Sequence, residues 1–99
     1  MIDSLVEAAR RVQQLAHAPY SGFRVGAALE GEDGSVHVGC NVENASYGLG
    51  MCAERVAVGA AVSAGVTRFR RVIVVSQSEP PASPCGACRQ VLAELAPDL

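Results

Sequence analysis

Apolar residues near the N-terminus recur at helical spacing. They are Ile2, Leu5, Val6, Ala9, Val12 and Ala16. Side chains three and four residues apart share one face of a helix, so this run predicts an amphipathic helix. Ser4 and Glu7 have the spacing of a capping box at the front of this run. Pro19 and Gly22 cannot continue a helix, so an irregular segment should follow.

The next segments predict two strands joined by a turn. Residues 23–29 are mostly apolar, and residues 31–34 form a turn cluster of glycines and acidic residues. Residues 36–42 then alternate between apolar and polar side chains, which is typical of a half-buried strand. The pattern therefore predicts a β-hairpin.

The second half of the chain predicts helices that alternate with a strand. Residues 52–64 carry strong helix formers and an apolar stripe, and Gly65 supplies a stop. Residues 72–76, VIVVS, are typical of a strand buried on both faces and reached in parallel through a crossover helix. Residues 85–95 predict a third helix. The loop at 43–51 is long for so small a domain.

Size and composition narrow the class of protein. With 99 residues and 10.2 kDa, residues 1–99 should form one domain. The net charge is −2 and the 8 basic residues are all arginine, which disfavours nucleic acid as a partner. The longest apolar stretch, 56–66, is too short to span a membrane, and no basic-then-apolar leader opens the chain. These features predict a cytoplasmic protein without a membrane partner.

Three cysteines stand at predicted helix starts. Cys52 opens the second helix, while Cys85 and Cys88 lie in the first turn of the third. A helix N-terminus favours thiolate over thiol, and thiolate is the form that binds a metal. A catalytic zinc site uses three protein ligands and leaves the fourth position for water, whereas structural sites are closed. The arrangement therefore predicts one open Zn²⁺ site.

Other readings of these residues are open at this point. Cys40 could be a fourth ligand that closes the site, although it lies within a predicted strand. The CxxC pair could instead be a redox pair, but Cys52 would then have no role. His17 and His37 lie in a turn and a hairpin strand, and we expect both to be solvated rather than ligands.

Glu54 follows Cys52 by two residues and is the predicted general acid/base. A carboxylate beside a zinc-activated water can take its proton and pass protons to the substrate, although an acid near a helix start also simply favours the dipole. Three thiolates exceed the charge of Zn²⁺ by one. Arg55 could draw charge from the sulfurs, or it could be a surface arginine.

The sequence CAE at 52–54 followed by PCGAC at 84–88 resembles the signature of zinc deaminases. Four blocks in order carry the likeness further: APYSGFRVGAAL (18–29), GCNVENASYGL (39–49), CAER (52–55) and SPCGACRQVL (83–92). Together they resemble the small, all-cysteine cytidine deaminases over nearly the whole chain.

The resemblance implies a set of site residues. Cys52, Cys85 and Cys88 would hold zinc, and Glu54 would move protons. The remaining positions would bind the nucleoside: Ala53 through its amide to the pyrimidine carbonyl, Asn41 and Glu43 to a ribose hydroxyl, Phe23 against the ring, and Ala45 and Tyr47 in a neighbouring subunit's site.

The resemblance also implies a fold and a reaction. The fold would be a three-layer α/β/α sandwich on a mixed sheet, and the assembly a homotetramer. Members of the family usually continue past the third helix with two more strands, which this sequence does not contain. The reaction would be hydrolysis of cytidine or 2′-deoxycytidine to the uridine product and ammonia, in pyrimidine salvage. A zinc-binding module without turnover, or a deaminase of another aminopyrimidine nucleoside, are the alternatives.

Overall fold

The computed structural model describes residues 2–46 and 49–76 of the chain. The elements in chain order are helix α1 (Ile2–Gln13), strands β1 (Val25–Gly31) and β2 (Val36–Cys40), helix α2 (Ala53–Ser63) and strand β3 (Phe69–Ser76). The predicted third helix at 85–95 lies outside the described residues. Within the described ranges no helix has the length and apolar content to cross a bilayer.

Helix α1 has the predicted apolar face but different ends. It begins at Ile2, so Ser4 lies inside the first turn and the predicted capping box was wrong. Leu5 and Ala9 are 1% and 0% exposed, as expected for the face that meets a sheet. The helix ends at Gln13, and Ala16 is bonded to the Gln13 carbonyl in the turn that follows.

The predicted β-hairpin is confirmed. Strands β1 and β2 pair antiparallel, with Ala28 opposite Val38. Strand β1 begins and ends two residues later than predicted. Strand β2 stops at Cys40, while Val42, predicted to end it, forms isolated bridges with His17 and Met51 instead.

Strand β3 is reached through a crossover helix, as predicted, but it is not parallel to the strand beside it. β3 pairs antiparallel with β1, in the order β2-β1-β3. Because β2 and β3 are both antiparallel to β1, they run in the same direction, and α2 joins them across the intervening strand. Residues 71–76 are half-buried rather than fully buried. Both pairings in the described sheet are antiparallel, so the mixed character expected of the sheet is not seen in this part of the chain.

Helices cover both faces of the sheet. Ala28 packs with Leu5 and Ala9 of α1, whereas Ala27 and Leu29 point the other way. This second set packs on α2, in a cluster with Ala53, Ala57, Val58, Ala61 and Phe69. Successive residues of a strand face opposite sides of a sheet, so one short strand supplies both cores. The described residues thus form an α/β/α arrangement.

Two strand glycines allow the helices to approach this closely. A Cβ on Gly26 would lie 2.1 Å from the Ala9 carbonyl oxygen of α1. A Cβ on Gly39 would lie 2.3 Å from the Ala57 nitrogen and 2.5 Å from the Ala53 oxygen. Any larger side chain at Gly39 would therefore push away the first turn of α2, where the predicted site begins.

Candidate active site

The segments that carry the described site residues lie at one end of the sheet. Val25 at the start of β1 pairs with Ser76 at the end of β3, next to the Gly26–Cys40 pair. Beyond β2, Val42 and Met51 exchange two backbone hydrogen bonds of 2.8 Å. This bridge closes the long loop and sets the segment after β2 beside the start of α2.

Cys52 occupies the N-cap of α2. Its backbone is extended, with φ −78° and ψ 154°, its carbonyl accepts the Val56 N–H at 3.1 Å, and its side chain does not cap the helix. The thiol is half-buried at the positive end of the helix dipole, where a thiolate is favoured. That position suits a soft metal ion such as Zn²⁺.

The other two predicted metal ligands, Cys85 and Cys88, belong to residues 77–99, which lie outside the described part of the chain. The described ranges alone contain no group of three or more candidate metal ligands. Cys40 and Cys52 are both half-buried and are not joined to each other by a disulfide bond. The convergence of three sulfurs on one ion therefore remains a prediction.

The two histidines lie where the sequence placed them. His17 is exposed, and its backbone bridges Val42. The His37 Nε2 lies 2.9 Å from the Ser35 hydroxyl in the hairpin, at the end of β2 opposite the site.

Glu54 is buried although it is charged. It lies in the first turn of α2 and is 5% exposed, next to Ala53 at 1%. In the described part of the chain its carboxylate has no hydrogen-bond or ion-pair partner. A charged residue with so little exposure is uncommon in a protein interior, so Glu54 is a candidate for a functional role.

Arg55 is half-buried and only partly satisfied. Its Nη2 donates to the Gly50 carbonyl at 3.0 Å. Its Nε is buried and meets no acceptor among the described residues. A buried donor of this kind requires an acceptor, and a sulfur ligand beside Cys52 would be a suitable one.

Asn41 uses its side chain to extend the sheet. Its Oδ1 accepts the Val25 N–H at 2.8 Å, and its Nδ2 donates to the Phe23 carbonyl at 2.9 Å. The amide thereby ties down the chain just before β1. One N–H of Nδ2 remains for another acceptor.

Glu43 holds the turn that precedes Phe23. Its Oε1 accepts the N–H groups of Tyr20 at 3.0 Å and Ser21 at 3.1 Å, and its Oε2 accepts the Ser21 hydroxyl. The Ser21 hydroxyl is the main cause that lowers the pKa of the Glu43 carboxyl, helped by the two amides and by His17 and opposed by partial desolvation. An ionised carboxylate has about four acceptor positions, so Oε2 keeps one.

The other predicted binding residues differ from one another in exposure and position. Phe23 is 36% exposed and lies outside both buried clusters, which favours a contact role over a core role. Ala53 is the first residue of α2, so its N–H has no carbonyl partner within the helix. Ala45 is exposed, as contact with another subunit requires, and Tyr47 lies outside the described residues.

Two residues that shape the site were not predicted from the sequence. Gly39 sets how close α2 comes to β2, and a glycine inside a strand pattern is a signal for such a close approach. Ser21 bonds both Glu43 and Phe23. Its only signal was the Pro-Tyr-Ser-Gly turn composition, which says nothing about a partner more than 20 residues away.

A comparison with known families decides what this site belongs to. Residues 2–98 match the family model described as the cytidine and deoxycytidylate deaminase zinc-binding region. The chain belongs to this family. Its zinc-binding character agrees with the thiol at the start of α2, and the resemblance of the four sequence blocks to cytidine deaminases is confirmed.

Individual family members agree with this assignment. The cytidine deaminase of Sporosarcina psychrophila is 50% identical over 93 residues, which cover 94% of this chain and 68% of that protein. The crystal structure of the cytidine deaminase of Burkholderia pseudomallei matches with a TM-score of 0.91 and 52% identity, over 96% of this chain and 76% of that one. The Mycobacterium tuberculosis enzyme matches with a TM-score of 0.89 and 44% identity, over 96% and 77%. These structures share the deaminase fold with this chain.

Proposed function

We propose that this chain catalyses the zinc-dependent hydrolytic deamination of cytidine and 2′-deoxycytidine to uridine and 2′-deoxyuridine in pyrimidine salvage. The observation that carries the proposal is Glu54, a buried carboxylate without a partner in the described residues, set one residue beyond the buried Ala53 and two beyond the Cys52 thiol. A family whose model is a zinc-binding deaminase region gives that carboxylate its chemistry.

Cys52, Cys85 and Cys88 would hold the metal. When bound, Zn²⁺ supplies a Lewis acid that lowers the pKa of water and makes it nucleophilic near neutral pH. Arg55 supports the ligand set from within α2, because its buried Nε is available to a thiolate and its positive charge offsets the excess negative charge of three sulfurs.

Glu54 would carry the proton transfers. Its carboxylate accepts a proton from the attacking water and delivers it to N3 of the cytosine ring. It then takes the remaining proton of that water from the oxygen now bonded to C4 and delivers it to the departing amino group. The C4–O bond forms and the C4–N bond breaks, so one water is consumed and one ammonia is released. Burial favours this role because it keeps other water away from the carboxylate.

Asn41 and Glu43 would bind one hydroxyl of the sugar. After their bonds to the chain, Asn41 retains an N–H donor and Glu43 an acceptor position on Oε2. A hydroxyl both accepts and donates, so it fits this remaining pair. Phe23 would pack against the ring, and the Ala53 N–H would donate to the pyrimidine carbonyl.

The wider setting follows from the resemblance. We infer a homotetramer in the cytoplasm, in which Ala45, which is exposed, and Tyr47 reach a neighbouring subunit's site. We also infer a complete three-layer sandwich on a mixed sheet. The helices on both sides of the described strands support the layered part of this inference.

The test combines metal content with turnover. The purified chain is incubated with cytidine, uridine and ammonia are quantified, and zinc is measured by mass spectrometry on the same sample. We expect equal amounts of the two products and loss of both after chelation. Bound zinc without product would contradict the proposal and favour a zinc-binding module.

A further inference from the structure

Ser21 lies between two side chains that we assign to nucleoside binding. The Phe23 N–H donates to the Ser21 Oγ at 3.0 Å, and the Ser21 hydroxyl lies within hydrogen-bond distance of the Glu43 Oε2. A backbone N–H can only donate, so the Ser21 oxygen must accept from Phe23. Its single proton is then directed at the Glu43 carboxylate.

We propose that Ser21 is a positioning residue for the nucleoside, whose hydroxyl couples the orientation of the Glu43 carboxylate to the place of Phe23. The inference rests on the proposed function, since it assigns Glu43 to the sugar and Phe23 to the ring. Ser21 itself touches neither the ring nor the sugar in this assignment.

The surrounding contacts explain why this one hydroxyl matters. The carbonyl side of Phe23 is held by Asn41, which is itself tied to β1 through Val25. The N–H side of Phe23 is held by Ser21. Without the hydroxyl, the Glu43 Oε1 would keep its two backbone N–H partners while Oε2 would be free to turn.

The effect should fall on binding rather than on chemistry. Ser21 donates to Glu43 after β2 and accepts from Phe23 before β1, whereas the proposed proton carrier Glu54 lies on α2. An interaction made equally with substrate and transition state changes KM and leaves kcat unchanged. A general loss of structure would instead lower kcat and stability together.

The hairpin offers a matched control. Ser35 also gives its N–H and its hydroxyl to one carboxylate, that of Asp33, at 3.0 and 2.5 Å. This pair lies at the opposite end of β1 and β2 from the site. Ser35→Ala therefore removes the same kind of bond at a place without an assigned role.

The experiment measures KM and kcat for cytidine, and uridine affinity by calorimetry, in the wild type and in four variants. For Ser21→Ala we expect KM and the uridine dissociation constant to rise about tenfold, as the loss of one charge-assisted hydrogen bond implies, with kcat within about twofold. Ser21→Thr keeps the hydroxyl and should restore wild-type values. Ser21→Cys keeps the size with a weaker donor and should be intermediate. Ser35→Ala should match the wild type.

Each contrary result has its own meaning. If Ser21→Ala and Ser21→Cys bind like Ser35→Ala in an active enzyme, the assignment of Ser21 is wrong and the proposed function stands. A fall in kcat with unchanged KM would also overturn the assignment. If the zinc-loaded wild type releases no ammonia, the proposed function fails and the role of Ser21 fails with it.

Discussion

Glu54 has a carboxylate at a place where burial alone would disfavour one, so its replacement tests the proposed chemistry directly. Glu54→Gln keeps the size and removes the proton acceptor. We expect ammonia release to fall by about 10²- to 10⁴-fold or more, with zinc content unchanged, because Glu54 is not among the proposed ligands. Ammonia assays and metal analysis measure the two effects separately. Full activity in this variant would remove Glu54 from the mechanism.

Arg55 can be compared with an arginine that makes the same backbone bond elsewhere. Arg55 Nη2 donates to the Gly50 carbonyl at 3.0 Å, and Arg70 Nη2 donates to the Glu32 carbonyl at 3.0 Å. We expect Arg55→Gln to lower zinc affinity or turnover by about 10- to 100-fold, since it removes the positive charge assigned to the proposed sulfur ligands. Arg70→Gln is the control and should leave both unchanged. Equal effects would assign Arg55 a structural role.

The lowered pKa of the Glu43 carboxyl predicts how the free energy of unfolding depends on pH. Its pKa is lowered in the folded protein, chiefly by the Ser21 hydroxyl, so it stabilises the fold above its ordinary value of 4.5. That contribution is lost as the pH falls from this value through the lowered pKa. We expect Glu43→Gln to reduce the acid-induced loss of the free energy of unfolding, measured by urea denaturation at several pH values.

Asp33 provides an independent comparison for the same experiment, because the Ser35 hydroxyl lowers its pKa in the hairpin. Asp33→Asn should also reduce the loss of the free energy of unfolding at acid pH, while uridine affinity stays unchanged. If the free energy of unfolding of Glu43→Gln falls as steeply at acid pH as that of the wild type, the hydrogen bonds from Ser21 and Tyr20 to Glu43 do not stabilise the fold.

Between elements, the spacing of α2 from β2 depends on one missing Cβ. A methyl group on Gly39 would lie 2.3 Å from the Ala57 nitrogen, so Gly39→Ala must move the helix that carries Glu54. Overpacking of this kind costs about 1–3 kcal/mol, and we expect lower turnover as well. Gly59, in α2 with nothing within 4 Å of its Cβ position, is the control. Gly59→Ala should stabilise by about 0.5–1 kcal/mol.

Denaturant unfolding of both glycine variants, with cytidine turnover on the same samples, checks this prediction. Similar stability and activity in Gly39→Ala and Gly59→Ala would show that neither stability nor turnover requires β2 and α2 to lie this close together.

Element prediction succeeded where the signal was local. The periodicity of α1, the hairpin turn and the start of α2 next to Cys52 depend on residues a few positions apart. The ends of α1 and β2 were less predictable, since they depend on tertiary partners. Val42 left the strand because it pairs with Met51 and His17.

At the scale of the whole molecule, zinc should link the site to stability. A ligand that binds only the folded state raises the free energy of unfolding, by about 4 kcal/mol at a thousandfold excess over its dissociation constant. We expect chelation to lower the unfolding midpoint of the wild type. Cys52→Ala should abolish this response, because it removes a proposed ligand.

Cys40→Ala separates the open site from a closed one. Cys40 lies in β2 and is half-buried, as Cys52 is at the N-cap of α2. If three cysteines hold the ion, Cys40→Ala keeps both the zinc content and the response to chelation. Loss of zinc in this variant would indicate a four-cysteine structural site instead.

The amino-acid sequence was sufficient for the two described helices, the hairpin, the family and the candidate roles of Cys52 and Glu54, because these depend on residue type and on spacing along the chain. Only the tertiary structure decided that β3 pairs with β1, that Glu54 is buried, and that Asn41 and Glu43 bond the segment around Phe23. These contacts join residues far apart in the chain, and a hydrogen bond or a buried face is determined only when the packed elements bring both partners together.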